Sequence, residues 1–186
     1  MAKPTAHDVN PALWLGRALR TQRAGEEKLS WHLFRVPSTL LVTSPAFRHG
    51  MPIPREHAAP GVGSNISPTL RWSGVPAVAQ ELVLIVEDWD APLRRPFVHL
   101  SLAGIRPKST GVKRGELNEL GVGSLGRHGW SGPRPIAGHG PHHYVFQLFA
   151  LDTELGLAVD AKPADILAAM HEHVIARGRL DGTFER

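Results

Sequence analysis

Asp88 and Asp90, separated by Trp89, stand where the continuous apolar run Leu82-Val83-Leu84-Ile85-Val86 gives way to Pro92 and Pro96 and then to a second apolar run carrying His99. Acids at the end of a buried strand, with an imidazole at the start of the next, are residue types that fix tautomers, share protons or bind a charged ligand. A strand alternates its side chains, so the spacing predicts Asp88 and Asp90 on one side and Trp89 on the other if extended geometry persists. A second polar stretch, from Gly129 to Tyr144, carries Ser131, Gly132, Pro133, His139, His142 and His143 and runs into the apolar strand Val145 to Leu151. The two stretches read as walls of one site.

Four blocks follow one another along the chain: Ser67-Pro68-Thr69-Leu70-Arg71-Trp72, Asp88-Trp89-Asp90-Ala91-Pro92, His99-Leu100, and Trp130-Ser131-Gly132-Pro133 closing with His142-His143-Tyr144. In that order they resemble the phosphatidylethanolamine-binding protein family, and within it the bacterial Raf-kinase-inhibitor-like branch. The resemblance spans residues 40–186. It implies a mainly β fold, an antiparallel β-sandwich with Greek-key connections and peripheral helices. It also implies a non-enzymatic module with no cofactor, whose small surface pocket takes a phosphate-like anion, a phosphorylated ligand or a phospholipid head group. Carried over by matching motif, Asp88, His99, Gly132, Pro133, His142 and Tyr144 line that pocket, with Asp90, Trp130 and His139 at its rim. The family's habits further imply a homodimer and a protein partner, such as a kinase or protease that is modulated. The family's loop after the first acid holds cis peptide bonds, so Ala91–Pro92 and Arg95–Pro96 are expected to be cis, which proline makes cheap. Trp89, Leu100, Ile136 and His143 depart from the family pattern and limit what the resemblance implies for the pocket rim and its selectivity.

The chemistry is coherent on physical grounds. Glycines let backbone N–H groups approach an oxyanion, a phenol donates, and imidazoles donate or carry charge. A bare Asp88 would repel an anion, so its expected work is to accept a proton from His99 or His142 or to meet the amine of a zwitterionic head group. Turn formation, by hydrogen bonds to the local backbone, is the structural alternative for both Asp88 and Asp90. A competing reading is a metal-dependent hydrolase with His99, His142 and Asp88 as a two-histidine, one-carboxylate set, although no compact metal motif is present. A serine hydrolase using Ser131 lacks the nucleophile-elbow signature.

Composition limits the remaining classes. The 186 residues suit one core, which buries roughly two thirds of the unfolded surface, and the 42% hydrophobic content is ordinary for a globular, soluble chain. No apolar run is long enough for a membrane span. Cysteine is absent, which excludes disulfides, thiolate metal sites and thiol nucleophiles. The net charge of +4 is spread over scattered basic residues rather than blocks, arguing against nucleic-acid binding. The first residues lack a secretory apolar core, so a cytoplasmic location is expected.

Periodicity positions these residues. Residues 1–38 read as an N-terminal helical extension, with a helix capped by Asn10, begun by Pro11, carrying Leu13, Trp14, Ala18 and Leu19 on one side and ending near Gly25. Trp14 and Trp31 are its apolar anchors. Residues 39–186 read as the main domain, with strands at 39–43, 70–72, 82–87, 97–103 and 143–151. A loop is expected at 44–67 and another at 107–129. A helix is expected from Pro163 to Gly178, followed by a short terminal strand, 180–184.

Overall fold

The apolar run that dominates the sequence is buried because it lies inside a sheet. A computed structural model describes residues 11–186. The elements in chain order are α1 (Pro11–Leu19), β1 (Leu41–Thr43), β2 (Met51–Pro52), β3 (Leu70–Ser73), β4 (Glu81–Asp88), β5 (Phe97–Ile105), β6 (Gly111–Val112), β7 (His142–Leu151), α2 (Pro163–Ala169) and β8 (Val174–Phe184), with short 3₁₀ turns between them. Five strands form one sheet in the order β2-β8-β7-β4-β5, and three form a smaller one in the order β1-β3-β6. All pairings are antiparallel except β2 with β8. The fold is mainly β, as expected.

β4 is buried along its whole length because each face of its sheet is covered. Leu82, Leu84 and Val86 face the small sheet and share an inner core with Val42, Trp72, Phe146 and Leu148. Val83 and Ile85 face the other way, into a cluster with Phe34, Phe149, Ile166 and Met170. That outer layer comes from α2 and from the chain before β1. A strand covered on both faces needs no apolar–polar alternation, and the run of five aliphatic residues has none.

Several boundaries differ from expectation. The helix expected over 163–178 stops at Ala169, and Val174 already begins the 11-residue strand β8. Glu172 takes a left-handed φ of 68°, which ends helical geometry, and β8 gains ten residue partners along β7 from Leu151 to His142. Sheet pairing therefore outweighs the helical spacing of Ile166, Met170 and Val174. The expected loops at 44–67 and 107–129 contain the two-residue strands β2 and β6. α1 ends at Leu19, before Gly25, and the cap expected at Asn10 lies outside the described residues. The described residues contain no cis peptide bond, so Ala91–Pro92 and Arg95–Pro96 are trans. The bend is made instead by a side chain, as the next subsection shows.

Residues 20–34 are part of the body. The backbone N–H groups of Ala24 and Gly25 donate to the carbonyls of Ala91 and Trp89 at 2.9 and 3.0 Å. Glu87, on the outer face of β4, accepts from the Ser30 N–H, the Ser30 hydroxyl and Gln147. Trp31 packs on Phe149 and lies under the Arg177 guanidinium, 4.0 Å from its ring centre.

Phe146 joins the inner core to the floor of the site, stacking on Trp130 at 5.8 Å and meeting Phe47 at 5.6 Å. Replacing Phe146 with Ala is expected to lower stability by about 3–5 kcal/mol. Urea unfolding measures it, and a loss below about 1 kcal/mol is inconsistent with this packing.

Candidate functional site

Asp88 is the last residue of β4 and shares the inward side of Leu82, Leu84 and Val86. Its Oδ1 accepts the backbone N–H groups of Asp90 and Ala91 at 2.8 and 3.1 Å, an Asx-type turn that ends the strand. The turn sends Asp90 elsewhere, so the two acids do not share a side. Asp90 is fully buried beside Arg23 and accepts both the backbone N–H and the Nδ1–H of His143 at 2.7 Å. Trp89 stacks on the His143 ring at 4.7 Å.

The second oxygen of Asp88, Oδ2, accepts from His142 Nδ1 at 2.7 Å, at the start of β7. His142 Nε2 lies 2.8 Å from His139 Nδ1. Tyr144 is the cross-strand neighbour of Asp88. Its buried hydroxyl has no hydrogen-bond partner among the described residues, and burial together with the Asp88 charge pushes its pKa well above the usual phenol value.

His99 reaches the site through an irregularity of the sheet. Along β4 the partner of Val86 is Leu100 and that of Glu87 is Val98, so His99 is left over at a β-bulge. Leu100 faces the inner core and Val98 the outer cluster, while Phe97 and His99 face the cavity. A bulge re-aims side chains in this way. His99 Nδ1 donates to the Ser131 carbonyl at 2.5 Å, which leaves Nε2 as the acceptor of a neutral ring. Burial pushes the His99 pKa down, outweighing the opposing pull of Asp88 and of the Ser131 bond.

These groups border a cavity of about 660 Å³. Asp88, His99, Trp130, Gly132, His142 and Tyr144 line it. Three residues expected there do not. Pro133 turns away, its carbonyl accepting the Ala59 N–H at 3.0 Å. Asp90 is spent on Arg23 and His143, and His139 is buried behind His142 rather than at the rim. Trp130 is an inner wall rather than a rim, 3% exposed, with its indole N–H donating to the His57 carbonyl. Gly132 does not offer its N–H to a ligand, since that group donates to Asn65 Oδ1 at 2.8 Å. It is glycine because a Cβ would lie 2.2 Å from the His57 carbonyl oxygen.

Sequence reasoning passed over the cationic and apolar parts of the lining: Arg127, His128 and Arg134, with Phe97 and Leu125. Leu125 is 81% exposed in a left-handed conformation, φ 65°. The arginines are isolated in sequence and converge only through the loops before β7. The Pro-Arg-Pro frame around Arg134 is the one local signal.

The hydrolase readings do not match the geometry. Asp88 Oδ2 and His142 Nδ1 are hydrogen-bonded to each other, and among the described residues no group of three His, Asp or Glu is arranged to hold a metal. Ser131 presents its carbonyl, not its hydroxyl, to His99.

Fold and site together define a two-sheet β protein with a partly apolar cavity, bordered by Arg127 and Arg134, at the strand ends. The family model described as "Phosphatidylethanolamine-binding protein" matches residues 43–185, and the chain belongs to that family. It is 37% identical over 171 residues to the UPF0098 protein PH1269 of Pyrococcus horikoshii, covering 87% of this chain and 80% of that one. It is 39% identical over 149 residues to LppC of Mycobacterium tuberculosis, a protein named as a lipoprotein, covering 78% of this chain and 72% of that one. The solved structure of E. coli YbcL, described as a member of the mammalian family, superposes with a TM-score of 0.74 at 27% identity over 80% of this chain and 99% of that one. No helix among the described residues is long and apolar enough to cross a membrane.

Burial holds His99, His139 and His143 below the ordinary imidazole range, so just below pH 6.5 the unfolded chain takes up protons that the fold refuses. Their contribution to stability is full above that pH and is lost as pH falls toward the folded values. His99→Asn is expected to make the acid limb of a urea stability profile between pH 5 and 8 shallower. An unchanged limb means that His99 titrates as an exposed imidazole does.

Proposed function

We propose that this chain is a non-enzymatic binding module whose cavity takes a phosphate-like anion or a phosphorylated ligand, including a phospholipid head group. The observation that carries the reading is the charge balance of the lining. Arg127 and Arg134 converge on one cavity, and both oxygens of its one carboxylate, Asp88, are already occupied by hydrogen bonds. A cation-lined concavity with low-dielectric walls attracts anions, and the apolar surface of Phe97, Trp130 and Ile136 leaves room for an organic body attached to the charged group. Neutral His99, with Nε2 as acceptor, suits a ligand that itself carries a proton, as a phosphate monoester does below its second pKa of about 6.

Two expectations from the sequence belong to the same proposal, a cytoplasmic location and association into a homodimer. For the dimer, the supporting feature is α1, which leaves Leu13, Trp14 and Leu15 exposed, Trp14 by 63%. Light scattering of full-length protein at micromolar concentration is expected to show a dimer that Trp14→Ser weakens. A monomeric wild type overturns that part. Modulation of a kinase or protease partner is a further extension of the proposal and rests on family likeness alone.

Calorimetry with inorganic phosphate, phosphoethanolamine and sulfate tests the ligand class. Arg134→Ala and Arg127→Ala are each expected to weaken phosphate binding about tenfold, the size of one charge-assisted contact. Phosphate should gain over sulfate as pH falls from 7.5 to 5.5, because only phosphate acquires a proton to donate to His99. Absence of binding by all three ligands, or indifference to both arginine changes, overturns the reading.

A further inference from the structure

Behind the cavity wall three hydrogen-bonded links run in line, the last of them shared between two carbonyls. His142 Nδ1 meets Asp88 Oδ2 at 2.7 Å, His142 Nε2 meets His139 Nδ1 at 2.8 Å, and His139 Nε2 meets the Leu19 carbonyl at 2.8 Å and the Gln22 carbonyl at 3.2 Å. Asp88, His139 and His142 are each at most 4% exposed, so water does not substitute for these partners. Each link in the line needs one proton. A carboxylate and two neutral imidazoles together hold two.

The outer end settles where protons must be. Carbonyl oxygens only accept, so His139 Nε2 carries a hydrogen. If that ring is neutral, its Nδ1 is an acceptor and His142 Nε2 must donate. At the inner end Asp88 Oδ1 accepts two backbone N–H groups, the bonding pattern of a carboxylate, and its Oδ2 accepts from His142 Nδ1. His142 therefore donates from both nitrogens. Burial, with the nearby charges of His142 and Arg23, holds His139 below the ordinary imidazole range, in keeping with a neutral ring there. The other titratable groups at the cluster are His99 on β5 and Tyr144 on β7, a neutral imidazole and a neutral phenol, with His143 near Asp88 and Arg127, His128 and Arg134 on the same cavity.

The tautomer of His139 is imposed by the end of α1. That helix rests on the loop before β7 at Gly16, where a Cβ would lie 2.0 Å from the Ala137 carbonyl oxygen and 2.7 Å from the His139 nitrogen. Arg20 Nε donates to the Gly138 carbonyl at 2.9 Å beside it. Without the Leu19 and Gln22 carbonyls, His139 is free to place its hydrogen on Nδ1 and donate to His142. His142 then needs only its Nδ1 hydrogen, and the cluster carries a net negative charge.

We infer that His139 is a positioning residue for the cavity: docked under the end of α1, it keeps His142 doubly protonated, so that an entering anion meets a neutral Asp88–His142 pair instead of a net negative charge. The inference rests on the anion reading for its consequence; the count of three protons stands on the hydrogen bonds, and their placement on His142 stands on its contact with Asp88 and on the buried position of His139 near the Arg23 charge. It assigns α1, which contributes no residue to the cavity lining, a share in ligand affinity.

The test uses full-length protein with ¹⁵N-labelled histidine. In the wild type at pH 7.5 both ring nitrogens of His142 are expected to be protonated. His139→Gln is expected to keep that state, since its amide oxygen accepts from His142 while its NH₂ donates to the helix carbonyls. His139→Phe is expected to return His142 to one proton and to weaken sulfate binding about tenfold at pH 7.5, with recovery at pH 6. Gly16→Ala, which changes no cavity side chain, should reproduce the His139→Phe pattern by lifting α1. A singly protonated His142 in the wild type overturns the inference whether or not any variant folds, as does a His139→Phe protein with unchanged ring nitrogens. An unchanged spectrum in Gly16→Ala removes α1 from it. If the ring nitrogens behave as expected while sulfate fails to bind even the wild type, the proton count holds and the anion reading falls.

Discussion

A carboxylate removed from water must have its charge answered on the spot, and leaving a buried ion unpaired costs several kcal/mol. Asp88 meets that demand with its two oxygens, and much of the site's geometry follows. One oxygen gathers the backbone of Asp90 and Ala91 and so sets the shape of the turn leaving β4. The other holds His142 and so ties the entrance of β7 to the exit of β4. The cavity lies between those two places because one side chain spans them.

The neighbouring acids show how strand geometry distributes such demands. Glu87 and Asp88 are adjacent, so the pleat sends them to opposite faces. Glu87 is answered on the outer face by Ser30 and Gln147, and burial raises its pKa. Asp90, past the turn, is answered by Arg23 and His143. Two of the three acids thus recruit residues 23–30. The early part of the chain supplies a counter-charge and hydrogen-bond donors to the acidic end of β4.

The fold was legible where one local pattern had one physical meaning. The aliphatic run of β4 and the strands of β5 and β7 are such cases. It was illegible where a long-range partner decided the outcome: residues 174–178 carry helical spacing, yet β7 offers them a full ladder of backbone hydrogen bonds. In the site, Asp88, His99, His142 and Tyr144 could be found because they sit at strand ends that the sheet brings together. Gly132 and Pro133 kept their place in the loop but not their expected work, since loop backbone is committed by contacts with Asn65, His57 and Ala59 that spacing does not reveal. Arg127 and Arg134 were invisible for the converse reason. Single surface arginines carry no signal until the loops converge. The role of His139 depended on a helix end more than a hundred residues earlier in the chain.

The bulge at His99 divides β5 into two regimes. From Leu100 onward, side chains must satisfy the inner core and its partner strand, and small changes of volume there are felt throughout the sheet. Before it, the phase is reset, so Phe97 and His99 look into the cavity while Val98 closes the outer layer. The surplus residue uncouples the cavity lining from the core within a single strand. The cavity lining can change at positions 97 and 99 while the sandwich is held constant, and a deletion of one residue here would exchange the two sets and cost both at once.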